Sequence, residues 1–114
     1  IGTSRKKIKQ FIEFDVNTDY PDGEINYNEL DYVVNCIGVT KPYCHDDNMS
    51  EVLNAIEVNA LFPYRLAKLG EDAGLKIINV ATDCVYTGEE GNYLESSRHD
   101  AKDVYGKTKS LGSN

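Results

Sequence analysis

Two short apolar runs, DYVVNCIGV at 31–39 and LKIINVAT at 75–82, stand on either side of one long segment with helical spacing, and few folds accommodate that order. Runs this short, without polar alternation, read as strands buried on both faces. In the intervening SEVLNAIEVNALFPYRLAKLGEDAG, Leu53, Ile56, Ala60, Tyr64 and Ala67 recur at helical intervals. Ser50 is the expected N-cap and Gly74 the expected stop, while Pro63 should kink the helix by removing one backbone donor. Strand, helix, strand with buried strands predicts an α/β fold, a doubly wound parallel sheet covered on both faces.

The flanking segments extend the pattern. FIEFDV at 11–16 alternates as a further strand, IGTSR reads as the end of another, and Asp103–Leu111 predicts a short helix stopped by Gly112. A Gly-rich turn of the kind that opens dinucleotide-binding sheets is missing from this stretch. The expectation is one domain, incomplete at both ends, with the first strand and its Gly-rich turn before residue 1 and a substrate region after residue 114.

Charge and composition narrow the function. The 114 residues carry a net charge of -7, against the needs of a nucleic-acid binder. Arg5, Lys6, Lys7 and Lys9 are clustered in the first ten residues, which leaves room for a local anion site. Cys36, Cys44 and Cys84 are an odd set without C-x-x-C spacing, so reduced thiols in a cytoplasmic protein are expected, with neither disulfide nor zinc. No apolar run reaches the roughly 20 residues that cross a bilayer. His45 and His99 lack metal-ligand spacing, and the adjacent Cys44 and His45 do not form a nucleophile and base aimed at one atom. Glu89, Glu90 and Glu95 read as a solvated loop.

The chemistry concentrates in two stretches. In DVYGKTK, Tyr105 and Lys109 lie four apart and share a helix face. An ammonium beside a phenol favours the phenolate, which makes tyrosine a usable general acid or base; the same spacing also occurs on solvated helices. In VATDCVYTG, an apolar strand ends in Thr82, at the sheet edge where open α/β sheets bind ligands. A hydroxyl there can steady charge developing on a substrate oxygen.

Taken together, Thr82, Tyr105 and Lys109 resemble the Ser/Thr, Tyr-x-x-x-Lys set of the short-chain dehydrogenase/reductase family, in its extended, nucleotide-sugar-modifying branch. NCIG at 35–38 is similar to that family's strand-end turn beside the cofactor, and Asn59 in EVNALFP to its active-site asparagine. TDCVYTG is most similar to the TDYVFDG-like segment of dTDP-4-dehydrorhamnose reductases. The resemblance implies a Rossmann-like fold and reduction of a 4-keto nucleotide sugar in deoxysugar or polysaccharide biosynthesis. It assigns Thr82, Tyr105, Lys109 and Asn59 to catalysis, with Asn59 supporting the lysine through a water. Ser4, Arg5, Asp15, Val16, Asn35, Cys36 and Gly38 would bind cofactor together with Tyr105 and Lys109. Arg5, helped by Ser4, suits the 2′-phosphate of NADP(H); NAD(H) is the alternative. Cys84 stands where 4,6-dehydratases of the branch carry a glutamate, and a thiol does not replace that proton donor. An epimerase of the same family and a non-catalytic cofactor-binding regulatory subunit stay open as alternatives. The resemblance implies a nucleotide-sugar partner and a homodimer, with no nucleic acid, membrane or metal.

Overall fold

The computed structural model describes residues 2–7, 9–18 and 25–113, the side chain of Asn28 excepted. Of the strand end read at IGTSR, Gly2–Ser4 form β1, and Ile1 lies outside the described residues. β1 pairs in parallel with β2 (Phe11–Glu13), and β3 (Tyr32–Asn35) pairs in parallel with β4 (Lys76–Asn79). Among the described residues these are two separate two-stranded sheets rather than one continuous doubly wound sheet.

The connection from β3 to β4 is the long helix, built as α1 (Met49–Ala55), a π-helical segment (Ile56–Leu61) and α2 (Phe62–Ala73). Asn48 caps it instead of Ser50: its side chain accepts from the backbone N–H of Ser50 and of Glu51. An asparagine caps as well as a serine, and its position two residues upstream puts the helix start there. Pro63 produces a π turn rather than a break. It has no N–H for the carbonyl of Asn59 four residues earlier, and just ahead of it the Phe62 N–H reaches five residues back to Glu57. Gly74 ends the helix in the left-handed region at φ 70°, which a glycine enters without a Cβ penalty.

The buried stripe differs from the spacing read in the sequence. Of the predicted stripe only Ala60 is buried, while Leu53, Ile56, Tyr64 and Ala67 are exposed; Ala55, Val58, Phe62 and Leu66 are buried instead. The helix has apolar residues on more than one side, and the π turn shifts which of them face inward. Phe14 and Val16, just past β2, complete that core, with the rings of Phe14 and Phe62 5.8 Å apart. Burying each such aromatic contributes about 1.5–3 kcal/mol.

The helices cover one face of the β3–β4 pair. Val33, Asn35, Ile77 and Asn79 lie on the covered face, while Tyr32, Val34 and Ile78 alternate onto the other and are about half exposed. Among the described residues the predicted cover on both faces is therefore present on one. The last helix, α3 (Val104–Leu111), begins at its Asp103 cap and ends at Gly112, as the sequence predicts.

Candidate active site

The site is assembled by α3 lying against the chain that leaves β4. Three positions at intervals of three, Gly106, Lys109 and Gly112, meet that chain in turn. A Cβ at Gly106 would overlap the Cys84 carbonyl oxygen and the Ala101 Cβ, so the helix backbone can approach only because residue 106 is glycine. The Lys109 ammonium donates to the Val80 carbonyl at 2.7 Å. The Gly112 carbonyl accepts from Asn79 Nδ2 at 2.9 Å. Thr82, between these points, caps a short 3-10 turn at Asp83–Val85 and accepts from the Cys84 N–H at 3.2 Å. A hydroxyl that accepts one bond still has a proton to give and a second lone pair. Thr82 and Tyr105 are thus held on two elements locked backbone to backbone, and Lys109 follows Tyr105 by one helical turn. Lys109 is only 8% exposed, and burial pushes its ammonium below the ordinary lysine range.

Asn59 ties this group to the turn after β3. It is 2% exposed, and its amide is used on three partners. Oδ1 accepts from the Val39 N–H at 2.8 Å, while Nδ2 donates to the Val39 carbonyl at 3.0 Å and to Thr108 Oγ1 at 3.3 Å. Its direct link to α3 is therefore Thr108, the residue before Lys109. Asn35 is also buried: Nδ2 donates to Asn79 Oδ1 at 2.8 Å and Oδ1 accepts from the Ile37 N–H. With the Asn79 bond to Gly112, a run of amides connects β3, β4 and the end of α3.

The start of α3 is fixed by the loop after β3. Lys41 Nζ lies 2.7 Å from Asp103 Oδ2, Asp103 Oδ1 accepts from the Gly106 N–H at 2.8 Å, and Asp46 Oδ1 accepts from the Val104 N–H at 3.0 Å. The hydrogen bond from Lys41, then that from the Gly106 N–H, holds the Asp103 carboxyl below the usual carboxylate range. These contacts locate the first turn, which carries Tyr105.

A cleft of about 620 Å³ lies beside this group, and six of the predicted cofactor residues line it: Ser4, Arg5, Asp15, Val16, Cys36 and Gly38. They come from the ends of β1, β2 and β3, which all point toward it. Arg5 is exposed, and Asp15 Oδ1 accepts from the Asn17 N–H at 3.0 Å. Its size, with a cation near one wall and apolar Val16 and Val58 in the lining, fits part of a dinucleotide. Asn35, Tyr105 and Lys109, also predicted to bind cofactor, lie outside this lining. Val39, which does line it, is the residue that the Asn59 amide holds, so one side chain joins the cleft to α3.

A family model described as the RmlD substrate binding domain matches residues 19–114. The chain belongs to this family.

Solved structures share the fold. A dTDP-4-dehydrorhamnose reductase from Clostridium acetobutylicum ATCC 824 is 30% identical, with a TM-score of 0.63 over 73% of this chain and 29% of the other. A hypothetical dTDP-4-dehydrorhamnose reductase from Sulfolobus tokodaii is 23% identical, with a TM-score of 0.75 over 96% of this chain and 40% of the other. MoeE5, solved in complex with UDP-glucose and NAD, is 18% identical, with a TM-score of 0.71 over 97% of this chain and 37% of the other. The chain thus spans well under half the length of each. No curated protein sequence matches it.

Elsewhere in this RmlD-family chain, Cys44 is buried and its thiol pushed up by that burial, while His45 turns to Glu51 at 2.7 Å. Those two do not form a nucleophilic pair. His99 Nδ1 lies 2.8 Å from Ser110 Oγ on α3. Among the described residues no group of side chains could hold a metal ion, and no helix is long and apolar enough to cross a membrane. Sequence reasoning missed Asn79, Thr108 and Gly106, and read Gly112 only as the helix stop. The signal for the glycines was available: with Lys109 they recur every third residue, on one side of a helix that must lie close to a neighbour.

Proposed function

We propose that the protein containing this chain reduces the keto group of a 4-keto nucleotide sugar with NADPH, in the manner of a dTDP-4-dehydrorhamnose reductase in deoxysugar or polysaccharide biosynthesis. The observation that carries this reading is the contact of Gly106 with the Cys84 carbonyl, which fixes Tyr105 and Thr82 on adjoining backbones with Lys109 one turn further on.

In this reading the Thr82 hydroxyl donates to the substrate carbonyl oxygen and orients it. Tyr105 gives its phenolic proton to that oxygen as the carbonyl becomes an alcohol. The Lys109 ammonium, one helical turn from Tyr105 and bonded to the Val80 carbonyl, would stabilise the phenolate left behind. When bound, the nicotinamide supplies the hydride. Ser4, Arg5, Asp15, Val16, Cys36 and Gly38 would hold the cofactor, with the Arg5 guanidinium suited to a 2′-phosphate. Asn59 would act as a positioning residue between cleft and helix. Cys84, lacking a carboxylate, supports reduction without dehydration.

The test is NADPH oxidation by the protein with its flanking segments, against a panel of 4-keto nucleotide sugars. Turnover is expected, and Tyr105→Phe should lower it by about 10²–10⁴-fold while NADPH still binds. Binding of cofactor without turnover on any of the sugars would replace this reading with a regulatory subunit.

A further inference from the structure

α3 is held along two lines. Gly106 and Lys109 meet the chain that leaves β4, at the Cys84 and Val80 carbonyls. Thr108 and Gly112 meet the π-helical segment instead. The Thr108 hydroxyl is buried and accepts from Asn59 Nδ2 at 3.3 Å, while a Cβ at Gly112 would overlap the Asn59 carbonyl oxygen. Consecutive helical residues stand about 100° apart around the axis, so the Thr108 contact lies well to the side of the Lys109 contact. Contacts along one side of a helix fix how closely it lies but leave it free to roll, and a second line of contact stops the roll. Tyr105, one turn earlier, stands on the arc between the two lines. The Thr108 hydroxyl also reaches that tyrosine's own backbone. It has one proton to give, which it shares between the Val104 carbonyl at 2.8 Å and the Tyr105 carbonyl at 3.0 Å.

We infer that Thr108 is a positioning residue for the reaction: its hydroxyl relays the hold of Asn59 to the backbone of Tyr105 and so sets the rotation of α3 that presents the phenol to substrate. A continuous run of bonds leads from the Val39 backbone through the Asn59 amide and the Thr108 hydroxyl to the Tyr105 carbonyl. Val39 lines the cleft, so the relay joins the wall of the cleft to the residue that gives the proton. The chemical consequence rests on the proposed function, whereas the relay itself rests on the bonds. A hydroxyl that only satisfied itself on the preceding turn of its own helix would have no part in holding a second element. Here the same oxygen is also the acceptor for a buried amide from that element.

The experiment compares Thr108→Val and Thr108→Ala, which remove the hydroxyl, with Thr108→Ser, which keeps it, in the protein with its flanking segments. In the first two, Asn59 Nδ2 retains the Val39 carbonyl and the helix carbonyls retain their N–H partners, so no buried group is orphaned. The expected result is a kcat lower by about ten-fold or more in both, with KM for the sugar and Kd for NADPH within about two-fold of wild type, and recovery in the serine variant. An unchanged kcat in the valine and alanine variants, an equal loss in the serine variant, or a loss carried by KM would each overturn the inference. A fluorotyrosine placed at position 105 reports its surroundings by fluorine NMR without turnover. Its signal should shift or broaden in Thr108→Val and return in Thr108→Ser; an unchanged signal overturns the inference. A signal that changes in this way in a protein that turns over none of the sugars upholds the relay and counts against the proposed function.

Discussion

The side-chain amide of Asn59 closes both backbone groups of Val39, accepting from its N–H at 2.8 Å and donating to its carbonyl at 3.0 Å. A carboxylate cannot do the second. Asn59→Asp would set an anion against the Val39 carbonyl and strip Thr108 of its donor, so it should destabilise more than Asn59→Ala. For the alanine variant, the loss of buried partners predicts about 2–4 kcal/mol. Urea denaturation of both variants measures the order; an aspartate variant as stable as wild type would contradict it.

Gly106→Ala tests the closeness of α3 to the Cys84 carbonyl. The new methyl group meets backbone on one side and Ala101 on the other, and neither can rotate away. Overpacking of this kind costs about 1–3 kcal/mol. Since relief requires α3 to lift, the turnover expected from the proposed function should fall more steeply than stability.

At Asp103 the prediction concerns pH. Its carboxyl is depressed, so its contribution is present above the ordinary aspartate value and lost as pH falls through the lowered folded value. Lys41 is shifted the opposite way, and its contribution is present below the ordinary lysine value and lost only above the raised one. The pair therefore supports α3 across the neutral range and fails in acid. Asp103→Asn keeps the cap but not the charge, so its deficit should shrink at low pH; Asp103→Ala loses the cap as well, at about 1 kcal/mol. Thermal melts across pH distinguish them.

Lys109→Met separates chemistry from folding. Burial disfavours the ammonium, and the depressed value means that stability rises with pH between it and the ordinary lysine value. Methionine removes that cost together with the bond to Val80, whose residue is half exposed and open to water. The variant should fold with a melting temperature close to wild type, lose its alkaline rise in stability, and turn over substrate far more slowly.

Much of this was legible before any coordinates. The apolar runs located β3 and β4, and Tyr105, Lys109 and Thr82 could be singled out because each is a reactive type at a strand end or on one helix face. The sheet was not legible as two halves, because strand order depends on long-range pairing. Asn79 and Thr108 escaped for a different reason: an isolated polar residue, in an apolar run or on a polar helix, shows no role until its partner is known, and for Asn79 that partner is 44 positions away. The Ser50 cap failed locally, since Asn48 offered an equally good acceptor just upstream.

The π turn at Ile56–Leu61 has a consequence for how this chain tolerates insertions and deletions. It holds one residue more than an α-helical turn would, and it buries Val58, Asn59 and Ala60 in succession. Adding a further residue there would exceed what the wide turn takes up and rotate one half against the other by about 100°. Asn59 would leave Val39, or Phe62 and Leu66 would leave the core, but both could not keep their places. The segment is therefore intolerant of a further insertion even where a single substitution would be absorbed, and its extra residue is part of the site's reading frame.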